Sequence, residues 1–308
     1  MTKTLARYGF QGIETVERQN SVRDVSKAQV TGSLRWAFRS RVDAREGRRD
    51  NACGGTRRRA FRLAAVTALH GSNCRVRMNI PAERRDSRIM REMFTTIAPR
   101  YDFITRLFSF GMDRNWKRLG VKRAPLPEDA VVLDLASGTG DFSQLIRQRL
   151  PRARTVAVDL TERMLRLARG RGLTEMACGD ATALPFADAS FDCVFIGYGL
   201  RNFSNLEAAL REIERVTRPG GLMVSLDFFL PANGVLRQLY LAYLYAQGAF
   251  WGVLLHGHPR VYTYIPDSLR CFVSMKDFSS LLHRAGYGRV DTSAYIFGGI
   301  GLHWAVKK

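Results

Sequence analysis

Residues 131–142 read VVLDLASGTGDF, and residues 155–161 read TVAVDLT. In the first stretch an apolar run stops at Asp134, and a small-residue turn with Gly138 and Gly140 leads into a helical pattern. In the second, another apolar run ends at Asp159, twenty-one residues after Gly138. Such spacing builds a nucleotide site at the carboxyl edge of a parallel sheet. Glycine lets the backbone approach a ligand, and an acid closing the second strand can accept hydrogen bonds from both ribose hydroxyls. A dinucleotide fingerprint would need a third glycine where Ser143 stands. A ligand with a ribose and no pyrophosphate therefore fits the loop better.

Working outward, strands are expected at Val131–Leu135, Thr155–Val158, Glu175–Cys178, Cys193–Gly197, Leu222–Phe228, Val290–Phe297 and Leu302–Lys307. Helices are expected between them at Phe142–Arg149, Thr161–Arg169, Asn205–Thr217 and Met275–Ala285. This alternation predicts an α/β fold whose sheet is mostly parallel, with helices on both faces. The last two strands are joined only by FGGIG, so the final strand must run antiparallel to its neighbour. Ahead of the first strand, Ile89, Met93, Phe94, Ile97, Ile104, Leu107 and Phe108 recur at helical spacing, as in short amphipathic helices. The stretch Leu239–Leu255 is too short and too interrupted, by Gln247 and Gly248, to span a bilayer comfortably. It reads as a buried helix pair, or else as a wall for an apolar substrate or a face that docks on a membrane.

The charge is unevenly distributed. Of a net +20, residues 1–85 carry 19 Lys or Arg against 7 Asp or Glu, a net +12. This N-terminal quarter lacks a sustained apolar period. It reads as a disordered basic extension, or as sequence ahead of a natural start near Met78. A transit segment or an arm touching nucleic acid are competing readings. Six acids up to Asp50 weaken the transit reading, and no aromatic interleaving supports base stacking. Residues 86–308 are expected to form the catalytic domain. None of the five cysteines forms a C-x-x-C pair, and no cluster has metal-ligand spacing, so reduced thiols and no metal are expected.

Further along, Asp180 in GDATALPF falls just after the third strand, where it could accept an adenine amine. RPGG at 218–221 turns into the fifth strand. An acid closing strand two, an acid after strand three and PGG before strand five resemble class I S-adenosylmethionine-dependent methyltransferases. YDFITRLFSFGMDRNW, LDLASGTGD, DATALPFADASFD, GLRNFSN, RVTRPGGLMVSLDF and YTYIPDSLRCF are similar, in order, to motifs of the UbiE/MenG family, the C-methyltransferases of menaquinone and ubiquinone biosynthesis. GLRN and YD…SFG…RxW are specific to that family. The likeness runs from about Met90 to the C-terminus. Departures occur at Ile104 and Thr105 (usually Met and Asn), Asp113 (usually His) and Phe229 (usually Ser), and they are expected to touch the acceptor side more than the cofactor side.

The resemblance implies a Rossmann-like sheet of seven strands and S-adenosylmethionine as methyl donor, with no metal. It implies that Thr139 and the Gly138–Gly140 backbone contact the methionine part of the cofactor and that Asp134 is a further cofactor-binding residue. Asp159 would then hold the ribose, Asp180 with Ala181 the adenine, and Gly197 would offer a backbone contact. Tyr101, Arg201 and Asn202 match catalytic positions. Arginine stays protonated, so Arg201 suits stabilisation of a phenolate rather than proton removal. A water held by Tyr101 and Asn202 would carry the proton. The competing readings are a surface salt bridge for Arg201 and a core aromatic for Tyr101. The implied acceptor is a polyprenylated quinol, demethylmenaquinol before the ubiquinone precursor, with another small aromatic or lipid as a third option. The implied setting is cytoplasmic, peripheral to the inner face of the membrane, without nucleic acid, and it leaves room for a homodimer. The reading from a different class is a nucleic-acid-binding protein that uses the Arg-rich arm.

Overall fold

The computed structural model describes residues 87–308. The expectations for the basic extension and for a start near Met78 fall outside the described residues. Three helices come first: α1 (Ser87–Ile97), α2 (Tyr101–Phe108) and α3 (Asp113–Arg123). The sheet follows, with β1 (Val131–Leu135), α4 (Asp141–Arg149), β2 (Arg154–Asp159), α5 (Glu162–Gly170), β3 (Met176–Cys178), β4 (Phe191–Gly197), α6 (Leu206–Val216) and β5 (Thr217–Phe228). Helices α7 (Gly234–His256), α8 (Arg260–Arg270) and α9 (Met275–Arg284) then lead to the hairpin of β6 (Tyr287–Tyr295) and β7 (Ile300–Lys307).

The seven strands lie in the order β3-β2-β1-β4-β5-β7-β6. β7 is antiparallel to both β5 and β6, and the other pairings are parallel. The reversal predicted from FGGIG is therefore present, and β7 is inserted between β5 and β6. The inner strands alternate between two cores. Cys193 and Phe195 of β4 join the cluster of Trp116, Phe142 and Ile146, whereas Val194 and Ile196 join that of Leu210, Ile213 and Phe278. Both faces are covered, so these strands read as continuous apolar runs.

Three local features differ from the sequence expectation. The RPGG turn lies within β5: Thr217 pairs with Phe191 and Leu222 with Cys193, so residues 218–221 bulge out with Gly220 at φ +71°. Ile89 is exposed although it keeps the helical period, because α1 covers the body mainly through its C-terminal end at Ile97. Leu239–Leu255 is part of one continuous helix, α7, and not a buried helix pair. Its inner face packs on α8 through small residues: a Cβ at Gly252 would sit 2.7 Å from the His258 carbonyl oxygen, and one at Gly248 3.0 Å from the Tyr262 backbone. Its outer face leaves Leu239, Phe250, Val253 and Leu254 exposed.

Candidate active site

The strand order changes direction between β1 and β4, and the crevice beyond their carboxyl ends is where this architecture binds ligands. Gly138 (φ +55°) and Gly140 (φ +84°) turn the chain from β1 into α4. Gly140 has no room for a side chain, since a Cβ would meet Leu173 at 2.7 Å. Asp134 at the end of β1 accepts from the Ser143 backbone N–H at 2.9 Å and from its hydroxyl at 2.6 Å. Ser143, the residue in place of a third glycine, thus ties the strand end to α4. Burial pushes the Asp134 carboxyl up to about 7 against those two hydrogen bonds.

Asp159 closes β2 and accepts the Gly138 N–H on Oδ2 and the Thr161 N–H on Oδ1, each at 2.8 Å. Burial raises its pKa more than these donors lower it. Each oxygen still has lone-pair capacity, and the residue faces two adjoining cavities. The first, of about 490 Å³, also takes in Gly138, Gly197, Asn202, Tyr101, Tyr198 and Phe94. The second, of about 320 Å³, is bordered by Asp180, Ala181, Gly179 and Ser87. Asp180 accepts from Ser87 and from the Thr182 N–H and hydroxyl at 2.8–2.9 Å. Burial opposes its charge, yet these bonds hold the carboxyl below its ordinary value.

A third cavity of about 280 Å³ joins Asp134, Thr139, Asp141, Lys117, Gly197 and Tyr101. Here the Thr139 hydroxyl donates to Asp102 at 2.7 Å, and Asp102 also pairs with Arg171. Lys117 is buried between Asp141 at 2.7 Å and Asp113 at 3.4 Å. Gly197 closes β4 at a place where a Cβ would lie 2.9 Å from the Phe142 ring, which explains the missing side chain. A buried acid with spare lone pairs, a glycine loop and an adjoining acid-lined cavity together fit an adenosine with an attached amino-acid part.

On the far side of Tyr101 lies a cavity of about 400 Å³ with a mostly apolar, aromatic-rich lining, including Phe94, Ile104, Phe108, Phe228 and Tyr262. Arg201 enters it from the turn Leu200–Asn202. Arg201 is 7% exposed, and neither Nε nor Nη1 has a hydrogen-bond partner. Its Nη1 lies 3.3 Å from Asp227 Oδ1, and its guanidinium lies 4.9 Å from the Phe228 ring centroid. It is therefore no surface salt bridge. Burial raises the Asp227 carboxyl, while Arg201 and backbone N–H groups pull it down. Burial drives the Tyr101 phenol well above the usual range and raises that of Tyr264, so both are hydrogen-bond donors at neutral pH.

Phe94, Tyr101 and Tyr198 border both this cavity and the first one beside Asp159. Tyr101 and Arg201 meet in this cavity. Asn202 borders the one beside Asp159, where its Nδ2 donates to the Tyr198 carbonyl at 3.2 Å. The family departures separate. Asp113 sits beside Lys117, and Phe229 packs with Phe272, Phe278 and His303 in the opposite core. Of the four departures, only Ile104 and Thr105 line the cavity that Arg201 enters. Sequence reasoning assigned no role to Tyr198, Tyr264, Lys117 or Asp227. Asp227 had a signal, as an acid at the carboxyl end of β5.

A sequence model described as the ubiE/COQ5 methyltransferase family matches residues 82–307. The demethylmenaquinone methyltransferase of Thermus thermophilus is 39% identical over 216 residues, covering 68% of this chain and 98% of that protein. The ubiquinone/menaquinone biosynthesis C-methyltransferase UbiE of Pseudomonas fluorescens is 35% identical, covering 74% of this chain and 92% of its own length. Among solved structures, a SAM-dependent methyltransferase from Thermotoga maritima superposes with a TM-score of 0.52 at 22% identity, covering 71% of this chain and all of that one. That likeness bears on the fold alone. On this family match and these relatives, the chain belongs to the ubiE/COQ5 methyltransferase family and is an S-adenosylmethionine-dependent C-methyltransferase.

Proposed function

We propose that this protein methylates a ring carbon of a polyprenylated quinol, with demethylmenaquinol as first acceptor and the ubiquinone precursor as second. The observation that carries the reading is Arg201: a buried guanidinium, ion-paired with Asp227 through Nη1 and without a hydrogen-bond partner at Nε, set in an aromatic-lined cavity beside Tyr101. The order of acceptors rests on the relatives at 39% and 37% identity, both named demethylmenaquinone methyltransferases.

S-Adenosylmethionine supplies an already electrophilic methyl on its sulfonium. Asp159 would accept the ribose hydroxyls with the lone pairs its two backbone donors leave free. Asp180 and Ala181 would border the adenine, and the Gly138–Gly140 backbone the methionine part. The ring carbon needs electron density, which comes from ionising the neighbouring hydroxyl. Arg201 favours that phenolate by charge, from a buried position where such a donor counts more than in water. Tyr101, kept protonated by burial, adds a donor. Tyr101 and Asn202 both face the cofactor-side cavity, so a water held between them can take the proton away. The aromatic partition of Phe94, Tyr101 and Tyr198 aligns acceptor and donor, which is the remaining part of the barrier.

No helix among the described residues is long and apolar enough to cross a membrane. A polyprenyl tail partitions into the bilayer, so the protein works peripherally, at the inner face. The test is purified protein with labelled S-adenosylmethionine and each demethylated quinol, the products read by mass. Methyl transfer to a quinol ring is expected. Cofactor binding without transfer to either quinol overturns the acceptor.

A further inference from the structure

The outer surface of α7 is unlike that of an ordinary surface helix. Its inner face uses glycines to close on α8, and its outer face carries large apolar side chains. Val235, Leu239, Phe250, Val253 and Leu254 are 54–71% exposed. Over 23 residues the helix has no acid and one arginine, Arg237. The patch continues onto the segment after α1: Phe103 meets Trp251 edge-on at 5.6 Å, and Phe110 stacks on Tyr243 at 5.3 Å. Both phenylalanines are about half exposed. With Met112, these account for eight of the eleven exposed large hydrophobic residues among the described residues. One contiguous apolar face of this kind marks an interaction site rather than scatter.

We propose that this face, the outer side of α7 with Phe103 and Phe110, inserts into the headgroup region of an anionic lipid bilayer and sets the acceptor cavity against it. The inference rests on the quinol reading above and names the surface that serves it. Three observations select lipid over a second copy of the chain. Cations stand at both ends of the apolar stripe: Arg237 near the start of α7, and Arg100, which donates to the Leu255 carbonyl, near its end, with Arg260 just beyond. The described residues as a whole carry 29 Lys or Arg against 20 Asp or Glu, a sign that suits anionic headgroups. The half-buried Trp251 and Tyr243 lie within the patch, as amphipathic aromatics do at a membrane interface. The position also matters. Phe103, on the patch, neighbours Ile104 on α2, and Ile104 lines the acceptor cavity. The cavity and the docking face thus share α2 as a wall.

The experiment is flotation of the full chain with phosphatidylglycerol-containing vesicles at high salt, which screens the basic N-terminal segment. Leu239→Glu/Phe250→Glu and Val253→Glu/Leu254→Glu are compared with Leu167→Glu, which alters an exposed leucine on α5. The parent and Leu167→Glu are expected to float, and each double variant to lose most vesicle binding. Thermal melts and methyl transfer to a short-tailed soluble quinol should be retained by all. A parent that stays with the pellet, or double variants that float as well as the parent, overturns the proposal. So does a parent that forms dimers that the double variants dissolve, with no vesicle binding, since the face would then join two copies. Vesicle binding by a protein that methylates no quinol would leave the docking face standing and remove the substrate reading.

Discussion

Arg201 Nη1 lies 3.3 Å from Asp227 Oδ1, and both side chains are all but sealed from solvent. Asp227 spends its other capacity on backbone: Oδ2 accepts from Leu200 and Oδ1 from Phe228. The carboxylate thus holds the turn that presents the arginine, and the arginine keeps donors free toward the cavity. Removing the acid leaves an uncompensated buried cation, which costs about 3–5 kcal/mol. Asp227→Ala should therefore lower the unfolding free energy strongly in denaturant titrations. Arg201→Ala/Asp227→Ala should be less destabilised than the sum of the two single changes. Simple additivity would show that the two groups do not support each other.

Arg201 and Asp159 should fail in different ways. Arg201→Lys keeps a charge but loses the planar fork, so kcat should fall by about 100- to 1,000-fold with cofactor affinity held. Asp159→Ala removes an acceptor for ribose and also the anchor of the Gly138 N–H. A lost hydrogen bond to a charged group is worth about 1.5–3 kcal/mol, or roughly 10- to 150-fold in Kd. Calorimetric titration with the methyl donor, set beside turnover numbers, separates the two. Equal loss of cofactor affinity in both variants would remove the division of roles.

Gly197 makes a sharper prediction because its neighbour is immobile. The Phe142 ring that a Cβ would strike at 2.9 Å is itself packed 5.2 Å from Phe195 and is 3% exposed. Gly197→Ser should cost about 1–3 kcal/mol of stability through overpacking, and it should weaken cofactor binding as α4 is pushed back. Adding Phe142→Leu should recover most of both losses, as read by thermal melts and by cofactor titration. If the double variant is no better than the single one, the ring is not what excludes a side chain.

The sheet was legible because its strands are covered on both faces and read as apolar runs, while the short FGGIG link dictated the reversed strand. The gathering of Asp134, Asp159 and Gly197 was legible because they sit at strand ends in fixed order. The acceptor side was not, since its wall comes from α1, α2, α8 and the ends of β4 and β5, and no period in the sequence records that they meet. Tyr198 shows the difficulty. It bounds both cavities through a positive φ of 59°, a conformation that a tyrosine in the sequence gives no reason to expect. For α7 the composition was read correctly as apolar. The glycines that put its large side chains outside announce themselves only once α8 is beside them.

His303 gives a pH signature that lies away from the site. It sits in β7 opposite Ser225, between the rings of Phe229 and Phe278, with neither ring nitrogen hydrogen-bonded. Burial lowers its pKa from 6.5 to about 4, so the folded protein holds it neutral. Above pH 6.5 neither state takes a proton there, and the residue adds no pH dependence. As pH falls from 6.5 toward 4 the unfolded chain binds the proton and the folded one does not, so stability drops by about 1.4 kcal/mol per unit. Asp134 works in the opposite direction over part of the range. Its raised pKa lets the folded state take a proton below pH 7, and that adds stability as pH falls toward 3.8. The parent's own pH profile is therefore blunted, and the difference from a variant is the cleaner readout. His303→Leu removes the titration while keeping an apolar side chain of similar size, so the stability of the variant relative to the parent should rise between pH 6.5 and 4. Urea unfolding at three or four pH values in that window measures it. A difference that stays flat with pH would mean that His303 is protonated in the folded state or reached by water.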